Sequence, residues 1–408
     1  MLDRAHKTGA DASGRSDSLC RFVMRICLVY DCLFPYTVGG AERWYRNLGE
    51  RMAAEGHEVT YLTLRQWEHG ESADVPGVRV VAVGPRMHLY SDSGRRRILP
   101  PIVFGVGVLL HLLLRGRRYD VVHTASFPYF SLLAAALVRP LGRFRLVVDW
   151  HELWSREYWR EYLGPAGGWI GNAVQTLCVR VPQRAFCFSR LYGERLRAAR
   201  VNGELTVLEG EYAGPLEPRK PQPAEPVLVF AGRHIPEKRV LALLPALRLA
   251  RERNPELRAE ILGDGPEHEN LLRLRDELGL RDVVDAPGRV EAGRVEASLA
   301  RALCMVLPSK REGYGMVVVE ASALGTPSVV VAGPDNAATD LVEHGENGYV
   351  AASATPKDLA AAVAMVEAGG DALRQRTAAW FGANAERLSL ESSLSQVLES
   401  YRSTSARR

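Results

Sequence analysis

Two doubly wound α/β domains in tandem, each built on a parallel sheet, are the fold class this sequence predicts. Three observations carry it. Short apolar runs alternate with amphipathic helical stretches from about residue 24 onward. Glycines gather where those runs end and the helices begin. Residues 210–226 hold Pro215, Pro218, Pro221, Pro223 and Pro226, too many for the interior of any element. The domains are therefore expected at 24–209 and 227–375, joined by that linker, with a cleft at the carboxyl ends of both sets of strands. A helical end segment, 376–408, is expected to cross back to the first domain.

The elements follow in order. Residues 25–30 are an apolar run of the kind a central parallel strand shows. After a loop ending at Gly39-Gly40, residues 41–54 read as a helix with Trp44, Leu48 and Met52 on one face, stopped at Gly56. Strand 58–63 completes a βαβ unit. Its glycine spacing is not the dinucleotide G-x-G-x-x-G, which argues against a nicotinamide site. Further strands are expected at 78–83, 120–123, 145–149, 185–188 and 205–208. The second series has strands at 227–231, 258–262, 283–285, 302–307 and 328–331, with helices at 240–253, 267–278 and 292–300.

Composition narrows the function. The 408 residues are 47% hydrophobic and 25% charged, enough for two or three globular domains. A net charge of +4 is too small for a nucleic-acid protein, and it tolerates an anionic ligand or membrane surface. Cys20, Cys27, Cys32, Cys178, Cys187 and Cys304 are scattered without metal-type spacing, as in a reducing compartment. Residues 1–23 are polar and lack a signal peptide's apolar core, so a disordered tail and a cytoplasmic protein are expected. Met24, directly before the first strand, is an alternative start.

Residues 98–114 are almost wholly apolar and flanked by Arg95, Arg96, Arg97, Arg115, Arg117 and Arg118. The run falls short of the roughly 18 apolar residues that mark a spanning helix. A helix buried against the first sheet is the expected reading. The alternative is an interfacial helix across 95–118 whose arginines meet anionic headgroups.

Three junctions carry candidate chemistry. In Gly232-Arg233-His234-Ile235-Pro236-Glu237-Lys238-Arg239, a guanidinium fork and an ammonium stand at a strand's end, a pair suited to a diphosphate. Val147-Val148-Asp149-Trp150-His151-Glu152 ends a first-domain strand with three ionisable groups, followed by Trp154, Tyr158, Trp159 and Tyr162. Those aromatics serve either as a core lip or as a platform for sugar rings. Pro308 to Pro327 reads as a strand end, a Gly313-Tyr314-Gly315 loop and a short helix over 316–324. It aims backbone N–H groups at one spot, with Glu312 in the loop and Glu320 on an otherwise apolar helix.

Taken together, Gly39-Gly40-Ala41-Glu42-Arg43, His151-Glu152, Gly232-Arg233 with Lys238, Gly263-Asp264-Gly265-Pro266, and Glu312 and Glu320 with seven residues between them resemble the retaining glycosyltransferases of family 4, which have the GT-B fold. The match runs in register from Met24 to about Ala351. The resemblance implies that Arg233 and Lys238 hold the diphosphate of a nucleoside-diphosphate sugar, with Gly39 and Gly40 approaching the phosphates. It implies Glu312 at the donor sugar beside Gly313, Tyr314, Gly315, Met316 and Val317, and Glu320 on the ribose. Arg289 would contact the base, Gly263 would belong to the donor side, and His151 would lie near sugar and acceptor. Trp150, Glu152 and Trp154 are the candidate acceptor residues. No metal or other cofactor is expected, and reaction would proceed by same-face displacement.

The chain departs from the family pattern at Glu152, where Asp is frequent, and at Tyr314, where Phe is frequent. The loop 333–338 also departs from it, with Asp335 or Asn336 as candidate donor contacts. The rival readings are a GT-B sugar epimerase or phosphorylase, or a non-catalytic nucleotide-sugar binder. The acceptor is left between a lipid-linked glycan, favoured by the arginine-flanked apolar run, and a soluble natural product.

Overall fold

The computed structural model describes residues 23–403 apart from 69, 90, 92–95 and 218. The expected tail, Cys20 and Arg95 lie outside the described residues.

The first domain runs β1 (Arg25–Val29), α1 (Gly40–Ala54), β2 (Glu58–Leu64), β3 (Val78–Gly84), α2 (Leu99–Arg115), β4 (Val121–Ala125), α3 (Tyr129–Gly142), β5 (Arg145–Trp150), α4 (Arg156–Arg180), β6 (Arg184–Cys187), α5 (Arg190–Ala198) and β7 (Leu205–Val207). All seven strands are parallel, in the order β3-β2-β1-β4-β5-β6-β7. β1, at the centre, buries Ile26 to Val29 completely. Covered by helices on both faces, it has no polar side to show, and its sequence is a continuous apolar run.

The second domain runs β8 (Val227–Ala231), α6 (Leu243–Arg251), β9 (Arg258–Leu262), α7 (His268–Glu277), β10 (Val284–Gly288), α8 (Ala292–Arg301), β11 (Cys304–Leu307), β12 (Arg311–Glu312), α9 (Met316–Ala323), β13 (Ser328–Val331), β14 (Asp335–Asn336) and β15 (Gly348–Ala351). Its six-stranded parallel sheet is ordered β10-β9-β8-β11-β13-β15, and β12 pairs with β14 in a two-stranded ribbon. Each strand order reverses direction beside its first strand, β1 or β8. That switch opens a crevice at the carboxyl end of the sheet. β15 was not among the expected strands, because a four-residue edge strand opening on glycine carries too little periodicity to stand out.

The chain closes with α10 (Pro356–Leu388), broken at Gly370, and α11 (Leu390–Ser403). α10 packs on α6, α9 and β15, while α11 packs on α1. Arg51 of α1 pairs with Glu391, and the Tyr401 hydroxyl meets His123 Nδ1 beneath the first sheet. The end segment thus spans both domains.

α2 is half buried. Phe104, Val108 and Leu112 pack inward, whereas Leu99, Val106, Leu110, Leu113 and Leu114 are exposed. It lies against α3 and β3 so closely that a Cβ on Gly107 would fall 1.9 Å from the Val83 carbonyl oxygen. The buried-helix expectation holds for one face only.

Candidate active site

The two crevices face each other across a cleft whose main cavity, of about 510 Å³, is lined from both domains. Two helix N-termini open into it. α1 begins at Gly40 behind an N-cap glycine without a side-chain cap, and the Glu42 carboxylate turns back onto its own N–H. α9 begins at Met316 behind Gly315, with no acidic residue in its first turn and no side-chain cap. Gly315 is held at φ 109, where a Cβ would also come 2.7 Å from the Ala338 Cβ, so only glycine fits. The uncapped amides at the start of α9 are a ready anion site, whereas at α1 the Glu42 carboxylate already sits against the first turn.

Around these termini stand most of the expected residues: Gly39, Gly40, His151, Glu152, Trp154, Arg233, Lys238, Glu312, Gly313, Tyr314, Gly315, Met316, Val317 and Glu320. Arg233 is exposed on the cleft wall, with no ion pair among the described residues. Lys238 Nζ contacts both carboxylate oxygens of Glu312, at 2.6 and 2.7 Å, and the Ser309 hydroxyl donates to Oε1 at 2.6 Å.

His151 stacks flat on Phe188, ring centroids 4.5 Å apart, and its buried Nε2 has no hydrogen-bond partner among the described residues. Burial pulls the His151 pKa down to about 4, against the opposing pull of Asp149, so the imidazole is neutral near pH 7. Asp149 is itself fixed by the Trp44 indole N–H at 2.7 Å and by His123 Nε2 at 2.7 Å. Glu320 is raised by burial, with Arg43 opposing the shift.

Several expectations need correction. Trp150 points away from the cleft; it is fully buried and its indole donates to Gln183 at 2.8 Å, which makes it a core residue. The alternation of β5 explains this, since Asp149 and His151 share one face and Trp150 takes the other. Gly263 does not line the cavity. It lets its loop pack on the neighbouring one, where a Cβ would lie 1.9 Å from the Gly232 carbonyl oxygen. Arg289 is exposed and lines neither this cavity nor the one beside it. Asn336 spends its amide on the Val331 and Ser309 carbonyls and on the Ala338 N–H, and Asp335 pairs with Arg195 across the domains.

Arg311 was missed by the sequence reading. It reaches from β12 into the first domain, pairs with Glu152, and lies over the rings of Trp154 and Tyr158 at 4.7 and 4.3 Å. The aromatic stretch is therefore in part the seat of an interdomain cation–π contact. The only sequence signal was an arginine beside Glu312, and nothing local distinguishes it from a solvated one.

A second cavity, of about 310 Å³, opens on the hinge side of Glu320. It is walled by Ala292, Val295 and Leu299 of α8 and by Arg43 and Asn47 of α1. Among the described residues no group of three metal-ligating side chains converges.

Two parallel-sheet domains with this cleft define the GT-B class of protein. Residues 39–209 match the description "Glycosyl transferase 4-like domain" and residues 217–385 match "Glycosyl transferases group 1". The chain is 30% identical over 353 residues to D-inositol 3-phosphate glycosyltransferase 2 of Catenulispora acidiphila, covering 80% of this chain and 81% of that one. It is 27% identical over 368 residues to glycogen synthase of Mycobacterium tuberculosis, covering 84% and 85%. Among solved structures, sucrose-phosphate synthase of Thermosynechococcus elongatus superposes with a TM-score of 0.75 at 19% identity, over 94% of this chain and all of that one. HepE of Anabaena, in complex with UDP-glucose, gives 0.67 at 18%, over 93% and 100%. The chain belongs to the GT-B glycosyltransferases of the family 4 type.

Proposed function

We propose that this glycosyltransferase is a retaining, metal-independent hexosyltransferase. It moves a sugar from a nucleoside-diphosphate sugar to a hydroxyl acceptor. The observation that carries the reading is the convergence on one cleft of two helix N-termini, the one of α9 uncapped, with Arg233 and Lys238, beside Glu312 and a neutral His151 whose Nε2 has no partner among the described residues. The relative named glycogen synthase and the neighbour bound to UDP-glucose support a sugar nucleotide as donor.

In this reading the nucleoside occupies the smaller cavity with its ribose hydroxyls on Glu320, and the diphosphate crosses to the α9 amides, Arg233 and Lys238. As the bond from the anomeric carbon to the phosphate oxygen breaks, negative charge grows on the diphosphate, where fixed donors stabilise it without reorganising. Glu312 accepts hydrogen bonds from sugar hydroxyls, and His151 Nε2 borders the same sugar. The acceptor oxygen enters from the side of Glu152 and Trp154 and bonds to the anomeric carbon on the face being vacated. Its proton passes to the departing phosphate oxygen.

The acceptor reading that the surface favours is a lipid-borne one. Besides the exposed face of α2, Leu137 and Leu141 of α3 and Trp169, Ile170 and Leu177 of α4 stand in solvent, with Leu114 84% and Trp169 72% exposed. Arg115, Arg117 and Arg118 edge that surface, the composition that seats an amphipathic face on anionic lipid.

A thermal-shift screen of UDP, GDP and ADP and their hexose conjugates tests the donor. At a hundred times its Kd, the right nucleotide stabilises by about 2.7 kcal/mol. No shift with any of them sinks the reading. Product anomeric configuration by NMR, and a rate unchanged by EDTA, test retention and metal independence.

A further inference from the structure

Between the two cavities the cleft narrows at Gly40, Arg43, Glu211, Met316 and Glu320, which line both. Glu211 is the unexplained member. It lies just past β7, in the segment joining the domains, is 9% exposed, and faces the narrowing. A Cβ on Gly40 would be 3.7 Å from its Oε2 and 3.8 Å from the Met316 Cε, so the carboxyl stands opposite the start of α1 and beside the first residue of α9. Its carboxyl has no hydrogen bond or ion pair among the described residues. A buried carboxylate left so would cost several kcal/mol, whereas a neutral acid facing a cavity costs far less.

We propose that the Glu211 carboxyl is a positioning residue for the donor, giving a hydrogen bond from its O–H to a phosphate oxygen as the diphosphate passes through this narrowing. The inference rests on the donor reading above and adds to it a proton that must be present for tight binding. The position is consistent in three ways. Met316 and Gly40 are the first residues of the two helices that open into the cleft, so a phosphate between them lies within reach of Glu211. An ionised carboxylate there would repel the same phosphate, while a neutral acid forms a short, charge-assisted O–H···O⁻ bond. Burial, with a smaller contribution from Asp149, pushes the Glu211 pKa up to about 8, so the acid form prevails at neutral pH.

Every element packed around Glu211 presents charged or titratable groups. β5 presents buried Asp149, with the neutral His151 just past its end; α1 presents Glu42 and Arg43; the α9 unit presents Tyr314 and Glu320. The second cavity adds Arg219 and Glu296, which pair with each other, and at the junction of α10 and α11 Arg387 is occupied by Glu209. None of these touches the Glu211 carboxyl.

The test is calorimetric titration of UDP and GDP into the full chain between pH 7 and 9.5, above the second phosphate ionisation at about 6. If only the acid form binds, the competent fraction falls and Kd rises about 30-fold across that range. Glu211→Gln keeps an N–H donor and cannot ionise, so it should bind near the wild-type pH 7 value with a flat profile. Glu211→Leu should bind about tenfold more weakly at pH 7, also with a flat profile. Unliganded melting temperatures of all three proteins check that they fold. A Glu211→Gln protein that retains the wild-type slope, or a Glu211→Leu protein that binds like wild type, overturns the inference and leaves the donor reading intact. Failure of wild type to bind any nucleoside diphosphate at any pH overturns both.

Discussion

Lys238 Nζ lies 2.6 and 2.7 Å from the two carboxylate oxygens of Glu312, so a cation of the loop after β8 and a carboxylate of β12 neutralise each other in the cleft. The pair is mostly buried, with side chains 20% and 7% exposed. Each partner is thereby held in place by the other, and each leaves the other uncompensated if removed.

Lys238→Ala should therefore destabilise by about 3 kcal/mol, since it leaves a buried carboxylate with only the Ser309 hydroxyl. Adding Glu312→Gln to it should recover most of that loss while transfer stays at least a hundredfold down. Urea denaturation of the two single variants and the double variant measures the coupling. An additive cycle would contradict it.

Arg311 ties the domains together through Glu152, Trp154 and Tyr158. Arg311→Ala should loosen the closed arrangement, enlarging the radius of gyration in small-angle scattering and raising the acceptor KM more than it lowers kcat. Lys should not rescue it, because an ammonium cannot lie flat over two rings and pair with a carboxylate at once. Unchanged scattering would show that the other interdomain contacts suffice.

His111, His151 and His234 are each held near pKa 4, mainly by burial, against about 6.5 for free histidine. With folded values depressed, the unfolded chain binds the extra protons, so this stabilisation is full above pH 6.5 and is lost as pH falls toward 4. Each site contributes a slope of at most about 1.4 kcal/mol per pH unit. Denaturation at pH 7, 6 and 5 should show stability falling, and His151→Asn should reduce the slope. Stability that rises on acidification in this window would contradict the buried neutral state.

Leu110 and Leu114 stand 56% and 84% exposed on the outer face of α2. Replacing both with Glu should leave the melting temperature within about 1 °C, as surface changes do. It should also abolish cosedimentation with vesicles containing anionic phosphatidylserine. Retained binding would move the lipid contact elsewhere.

Much of the architecture could be read directly from the sequence, because a strand covered on both faces is continuously apolar and a βα turn is marked by glycine. Residues 227–231, 258–262 and 328–331 form strands with the expected bounds, and the GT-B fold follows from the alternation. The residues around Gly39-Gly40, Arg233, Lys238 and Glu312 were visible because they stand where strands end. Trp150 was misassigned for want of one fact, the face on which each residue of β5 lies. Arg289 and Gly263 were placed by position along the chain, and neither lines the cavities of the cleft.

The sequence by itself determined the two parallel sheets, the joint between them and the uncapped helix starts, since these depend on local pattern and on residues that cap or break. Only the tertiary structure decided what meets what: Lys238 with Glu312 inside the second domain, Arg311 with the first-domain aromatics, Tyr401 with His123, and Glu211 in the narrowing with no partner among the described residues. Local propensity acts over a few residues, whereas these contacts span 74 to 278 positions for the pairs Lys238–Glu312 and His123–Tyr401. They form because burial of the hydrophobic cores brings distant segments together, and a charge or ring acquires its role only from what then lies opposite it.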